Sequence, residues 1–417
     1  MAVQDNNLLT DDVIAKEALR LLKNNLVFAK KVYRKYEQTY GKVGDTIRIK
    51  LPYRVKSSSG RTLVKKPLVD QTIPLVVENQ EHVGLEYTVK DRTLDITQFS
   101  ERYLKSGMSQ IANVIDRSLA LTMKNIYHTS GTPGTRPGAF IDFANAAAKQ
   151  TTYAVPDDMQ RCAVLNPFTC ASLSDEVTKL FQNDMVKGAY QKGYKGMVSD
   201  YMTYMSQNLP THTVGAHGGT PLVAGTIANG TSVTTDGWDI SVTGLLLEGD
   251  VITFAGCFGV NPQSYASTGL LQEFVVQADV DSDGSGLATI TVEPSINDGT
   301  ATITNAAGDS VSLAAYQNVT NVPGDNVAIV VAGTASTEYE QNYLFHKECI
   351  ALAMIDLELP QTAVIKERAR DPDSGLSLTL TAAYDINEQT EIYRIDAVWA
   401  AKAVYPELGM RLWGDNL

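Results

Sequence analysis

The chain has 417 residues, of which 44% are hydrophobic and 20% charged, with a formal net charge of -12. That length suits roughly two or three domains with a large core and no need of disulfides, and the composition excludes a disordered chain. No run of about 18 uncharged apolar residues is present to cross a membrane as a helix, and no basic patch leads into an apolar stretch to make a signal peptide.

Four scattered cysteines, Cys162, Cys170, Cys257 and Cys349, make neither a disulfide framework nor a metal clip, and point to a reducing compartment. Charge is unevenly placed. Residues 1–130 hold 21 Lys/Arg against 14 Asp/Glu, and the remainder 14 against 33. Residues 196–346 contain no Lys or Arg, yet carry 15 acids. Such a break marks a separate folding unit. A basic front and an acidic back suit head-to-tail self-association or a basic face turned to a polyanion; acidity serving solubility alone is the plainer alternative.

Residues 11–38 read as one long helix, capped by Thr10, with Asp11 and Asp12 in the first turn where the helix dipole favours anions. Ala15, Ala18, Leu22, Leu26, Ala29 and Tyr33 form one apolar stripe, and Ile14, Leu21, Phe28 and Val32 a second beside it. So broad a face packs on its own subunit, on a neighbour or on an assembly factor. Gly41 and Gly44 end the helix. Residues 46–51 then alternate, with Ile47, Ile49 and Leu51 on one side and Arg48 and Lys50 on the other. A Ser-Ser-Ser-Gly tip at 57–60 precedes Arg61, Lys65 and Lys66, and a second extended run returns at 68–77. This is a long basic-tipped hairpin. An isolated hairpin is marginal in water, so it lies on another surface.

A further strand follows around Val83, Leu85, Tyr87 and Val89. Residues 98–127 keep a helical spacing through Leu104, Met108, Ile111, Ile115, Leu119, Thr122 and Ile126, with Asp116-Arg117 facing outward. That helix spans about 45 Å, a strut rather than a packing helix. A Gly/Pro loop at 131–138, a buried strand at 161–165 and a helix from Asn166-Pro167 to 181 come next. Residues 182–212 are mixed.

From about 215 to 340 the pattern is all-β. Alternating runs at 238–242, 250–254, 273–280, 287–292 and 326–331, separated by Gly/Asp turns, predict a small barrel or sandwich. Residues 345–354 read as helical or mixed. Strands follow at 376–383 and 391–404, and a last one near Trp413. The flanking pieces thus form one domain into which the β block is inserted.

Chemistry is scarce. His212 and His217 lie in a Gly-rich loop with no Cys or carboxylate near them in sequence, so no metal site is expected. Asp279-Val-Asp-Ser-Asp-Gly284 matches half a calcium loop, but Ile290 stands where the bidentate Glu belongs, and a solvated turn is the better reading. Gly308-Asp-Ser-Val311 resembles a hydrolase nucleophile block, yet only His346 follows and no Asp stands three residues before it. No phosphate-binding loop or dinucleotide fingerprint occurs. No catalytic residue and no cofactor is assigned.

The order of elements is distinctive: helical arm, basic hairpin, strut helix, mixed domain, all-β insertion, closing strands. Local sequences accompany it: Leu247-Glu-Gly-Asp-Val-Ile-Thr-Phe-Ala-Gly256, Phe274-Val-Val-Gln-Ala-Asp-Val280, Gly44-Asp-Thr-Ile47, Phe99-Ser-Glu-Arg-Tyr103, Arg394-Ile-Asp396 and Tyr405-Pro-Glu-Leu408. On these the chain resembles tailed-bacteriophage major capsid proteins of the Hong Kong 97 fold, and among them the phage P-22 coat protein group with its extra β domain.

The resemblance implies an α+β capsid fold in which 1–40 is the N-terminal arm, 41–80 the extended loop and 98–128 the spine helix. Residues 81–214 begin the peripheral and axial domains, 215–340 are the inserted barrel-like domain, and 341–417 return to the axial and peripheral domains. It implies a shell of hexamers and pentamers around double-stranded DNA, bound without sequence specificity, with scaffolding and portal proteins as partners. The protein is then expected in the virion, assembled in the bacterial host cytoplasm, with no cleaved N-terminal domain. One related branch cross-links Lys to Asn; Lys65 and Lys66 lie near the right loop but lack the context. Arg48, Lys50, Arg61, Lys65 and Lys66 are the expected inter-subunit contacts, facing acids such as Asp373, Glu388 or Glu407 of a neighbour. The competing class is a β-rich surface adhesin or glycan-binding module, which needs a secretion signal.

Overall fold

The computed structural model describes residues 11–34, 46–63, 71–88, 104–178, 196–304, 310–359, 365–371, 375–385 and 390–415. The chain divides into two compact units, one of residues 1–49, 73–120 and 350–402, the other of 50–72, 121–349 and 403–417.

The first unit is built on an antiparallel sheet. Its long central strand, Thr390–Ala403, has Ser377–Asp385 and then Ile365–Arg370 on one side; Asn79–Thr88 also pairs with it, and Ile350–Met354 completes the sheet. Helix α1 (Asp11–Asn25) packs on strands Ile365–Arg370 and Ser377–Asp385. Helix α2 (Lys105–Thr122) carries the apolar spacing read from the sequence: Met108, Ile111, Ile115 and Leu119 are buried. Gly107 is where α2 meets strand Asn79–Thr88; a Cβ there would stand 2.8 Å from Val83 Cγ1. Trp399, fully buried, donates its indole N–H to Ser118 Oγ at 2.8 Å.

Two helix expectations need correction. The first helix ends at Asn25, and Phe28–Lys30 form a separate 3₁₀ turn. Asn24 and Asn25 are poor helix formers, and the amides that follow them are claimed by a side chain from elsewhere. Asp116 Oδ2 accepts Val27 N–H at 2.7 Å and Oδ1 accepts Ala29 N–H at 3.2 Å. Asp116 therefore does not face outward; it is 1% exposed. Val27 offers the turn no side-chain cap of its own, and Asp116 supplies one from α2. Residues 35–45 lie outside the described residues. At its C-terminal end the strut helix also departs from expectation: the described α2, Lys105–Thr122, about 27 Å long, passes into a 3₁₀ turn at Met123–Asn125. Residues 98–103 lie outside the described residues.

In the second unit, a mixed six-stranded sheet runs Thr129–Ser130, Gly409–Leu412, Tyr343–His346, Arg161–Leu165, Tyr201–Met205, Met197–Val198. Helix α3 (Phe140–Thr152) and helix α4 (Pro167–Thr178) belong to this unit, and Phe143, Ala146 and Leu173 share a core with Ala163, Leu165, Tyr201, Leu344, Met410 and Leu412. Asp142 opens α3 by accepting the amides of Gly138 and Ala139. The expectation of a helical or mixed segment at 345–354 is wrong in kind. Tyr343–His346 and Ile350–Met354 are strands joined by a 3₁₀ turn, Lys347–Cys349. Both are buried on both faces, so their sequence shows no alternation to distinguish strand from helix.

The same unit holds an antiparallel barrel, ordered Ile329–Val331, Val251–Val260, Ser267–Val276, Ala288–Ile296, Gly230–Trp238, Gly219–Val223. Its ends meet through the bridge Leu222–Ala328 and the bond from Val223 N–H to Val327 O, which close it. Val233, Leu246, Ile252, Phe254, Phe274, Ile290, Val292 and Val319 fill it, with Phe254 and Phe274 packed edge to face at 5.4 Å. The predicted run 238–242 is not a strand: Trp238 ends one, and Ser241 has φ +54° in the turn beyond.

Candidate functional site

The hairpin carries the alternation read from sequence. Thr46–Lys50 pairs with Thr72–Val76, Ile49 is buried, and Arg48 and Lys50 are exposed. Arg61 is exposed too, whereas Lys65 and Lys66 lie outside the described residues, as do Asp373 and Glu388. Beyond the stem, 51–63 forms no strand. It continues the alternating pattern, with Tyr53 and Val55 exposed and Arg54 and Lys56 half-buried.

Glu407, nominated above as a neighbour's acid, is paired within the chain. Arg54 Nη2 donates to Glu407 Oε1. The guanidinium also lies 5.9 Å from the centre of the Tyr316 ring, and Lys56 Nζ lies 4.6 Å from the centre of the Tyr265 ring. Such cation–ring contacts are worth about 0.5–1 kcal/mol at exposed sites and more when dry. A cavity of about 240 Å³ adjoins the pair, lined by Tyr127, His128, Tyr153, Gln272, Tyr316 and Glu407 among others. Arg54 was not singled out in the sequence; its signal is the continuation of the period-two pattern past Leu51.

Behind the cavity lies a buried polar group. Glu273, on barrel strand Ser267–Val276, accepts Lys149 Nζ at 2.8 Å, Thr129 N–H at 3.0 Å and Thr129 Oγ1 at 2.5 Å. Burial alone pushes its carboxyl up, but the Lys149 ammonium and the neighbouring donors win and hold it down at about 2. His128 Nδ1 stands 3.4 Å from Glu273, and burial holds its imidazole below the usual range, so the ring is neutral at pH 7. Glu273 ties the barrel to α3 and to strand Thr129–Ser130. Arg411 makes a second tie: buried, it donates to the carbonyl oxygens of Lys124, Ile126 and Gly249.

The candidate chemical motifs take structural parts. His212 does have a carboxylate, Asp250 at 2.8 Å, which also accepts the amides of Gly215 and Leu247. His346 is buried with Nε2 at 3.0 Å from Asp158, and Ser310 lies on the exposed end of strand Ser310–Ser312. Asp279, Asp281 and Asp283 accept backbone amides from Glu248, Gly244, Ser285 and Leu287, stapling turns. All four cysteines are buried and reduced, and burial pushes the Cys257 thiol up to about 12. These groups are spent on holding the fold.

A family model described as P22 coat protein, gene protein 5, matches residues 1–414. The chain belongs to the P22 coat protein family. It is a phage major capsid protein, a subunit that associates with its own kind to form the virion shell. Membership of a structural capsid family implies no enzymatic activity, and no described helix is long and apolar enough to cross a membrane. Among curated proteins none matches the chain. Among solved structures it is similar to a chain of Mycobacterium phage Che8 (14% identity, 93% of this chain and 90% of that one, TM-score 0.45). It is also similar to the capsid of cyanophage P-SCSP1u (11% identity, 91% and 86%, TM-score 0.40) and the capsid of Ralstonia phage GP4 (8% identity, 90% and 85%, TM-score 0.41).

Proposed function

We propose that this coat protein builds an icosahedral head of hexamers and pentamers around packaged double-stranded DNA, on the Hong Kong 97 plan. In that reading 1–40 is the arm, 41–80 the extended loop, 98–128 the spine and 215–340 an inserted barrel domain. Residues 81–214 and 341–417 supply the peripheral and axial domains. Scaffolding and portal proteins are its assembly partners, and the host cytoplasm is where it assembles. The observation that carries the reading is the family match over nearly the whole chain.

The residues supply a mechanism. A shell sums hundreds of weak contacts; exposed ion pairs contribute about 0–1 kcal/mol each, so each junction forms reversibly and misplaced subunits can leave. Arg48, Lys50 and Arg61 are exposed, which supports assigning them to such contacts. The barrel region, which lacks basic residues, faces away from packaged DNA, since acidic side chains repel it. A β-rich adhesin is not favoured by the family.

Expression of the full chain with and without its scaffolding protein, followed by electron microscopy and sedimentation, tests the reading. Closed particles of uniform size are expected. A chain that stays monomeric under every assembly condition refutes it.

A further inference from the structure

The cavity beside Arg54 is walled by residues of one compact unit, drawn from the root of the hairpin, the barrel and the stretch 404–407. Tyr127, His128 and Tyr153 form a continuous run of rings along it, with neighbouring centroids 4.4 and 4.2 Å apart. Tyr316 adds a fourth ring. Ring faces favour flat aromatic occupants, which stack on them. Size sets the next limit. A dry cavity of about 150 Å³ takes one benzene ring; this one, at about 240 Å³, has room for two fused rings.

Charge sets the third limit. Arg54 and Glu407, both in the wall, are paired with each other, and burial keeps His128 neutral. A charged occupant would leave water for a site with no unpaired counter-charge, so a neutral one is preferred. Arg54 also supplies a directional contact. A guanidinium carries five N–H donors; Nη2 serves Glu407, and the fork keeps others for a ligand oxygen. We propose that this cavity binds a neutral, flat, fused-ring molecule bearing a carbonyl oxygen, its rings against Tyr127, His128 and Tyr153 and its oxygen on Arg54. Such an occupant touches the hairpin root, the barrel and 404–407 at once and braces them together. The site is complete in a single chain and needs no shell.

Coumarin, a neutral fused-ring lactone, is the probe. Equilibrium dialysis against the full chain should give a Kd of about 0.1–1 mM, the range of a good ligand of its size. At roughly ten times that concentration the melting temperature should rise by about 2–4 °C. Indole, which presents an N–H where coumarin presents an oxygen, should bind about tenfold more weakly, since it cannot accept from Arg54. Coumarin-3-carboxylate should also bind about tenfold more weakly, because its added charge faces Glu407 and gains no partner of its own. Equal binding of either compound overturns the proposal. So does a chain that neither retains coumarin nor melts higher in its presence, since the cavity then holds water alone.

Filling the cavity tests the placement. Leu51 is half-buried in the wall, and its backbone N–H donates to Gln71 O at 2.9 Å. Leu51→Trp puts a bulky ring into the cavity and leaves that bond alone. Coumarin affinity should fall about tenfold or more, while the melting temperature of the ligand-free variant stays within about 3 °C of the parent's. Where Leu51→Trp does not fold, Pro262→Trp fills the same cavity from the turn after strand Val251–Val260. Unchanged affinity in a folded filling variant overturns the proposal, because coumarin then sits elsewhere.

Discussion

In the barrel, six strands close on themselves, Phe254 and Phe274 fill the centre, and acids such as Asp250, Asp279 and Asp283 are bonded to the amides of their own turns. Segment 51–63 forms no strand, Val55 and Leu63 are exposed, and Arg54 and Lys56 rest on rings and one carboxylate. Both regions have alternating sequences and both lie in the same compact unit. The difference is where the second face of each alternation goes. The barrel buries its apolar face internally; the segment shows apolar side chains and half-buries Arg54 and Lys56. The first pattern is that of a finished object, the second that of a part.

That contrast can be broken at several points. Phe274→Ala should cost the barrel about 3–5 kcal/mol, the usual loss for a fully buried aromatic ring, read by chemical denaturation; a loss under about 1 kcal/mol would mean the barrel core is not tightly filled. Glu273→Ala strands Lys149 without its partner and should cost a similar amount, about 3–5 kcal/mol. Its pH signature has a definite sign. The folded carboxyl sits near 2, below its unfolded value, so its contribution is complete above about pH 4.5 and is lost as pH falls toward 2. Melting temperature against pH should fall in that window for the parent chain and much less for Glu273→Gln.

Asp116 behaves in the opposite sense. Burial pushes it up to about 6 despite the backbone amides around Val27 and Ala29. The folded state therefore holds its proton longer than the unfolded one, and stability declines as pH rises from about 4 to 6. Asp116→Asn should flatten that slope; an unchanged slope would place the proton elsewhere. Smallest of all, replacing Arg48, Lys50 and Arg61 together by Glu should change the stability of the free subunit by less than about 0.5 kcal/mol per site while lowering particle yield. A large stability loss would show these residues to be internal supports. Carboxylate labelling of intact particles should mark 236–340 heavily, and protection there would refute an outward-facing barrel.

Much of this was readable from one-dimensional pattern. Ile49 against Arg48 and Lys50, the Met108–Ile111–Ile115–Leu119 row and most barrel strands follow from period alone. The failures share a cause. Asp116 was read as solvent-facing because a carboxylate on a helix usually is, and the amides it serves lie 87 and 89 residues earlier. Glu273 finds Lys149 and Thr129 at separations of 124 and 144 residues, and Arg54 finds Glu407 at 353. Local spacing carries no trace of partners so far apart. The strands at 343–346 and 350–354 were missed for another reason: burial on both faces erases the alternation by which strands are recognised.

The strand Gly409–Leu412 has an implication for timing. It slots between Thr129–Ser130 and Tyr343–His346, both synthesised earlier, and its Arg411 quenches carbonyls of Lys124, Ile126 and Gly249. A nascent chain still on the ribosome holds an open gap in that sheet and three carbonyl groups awaiting a donor. Polypeptides halted before Gly409 should stay protease-sensitive through the mixed sheet. Translation itself thus delays the moment at which the mixed sheet is complete.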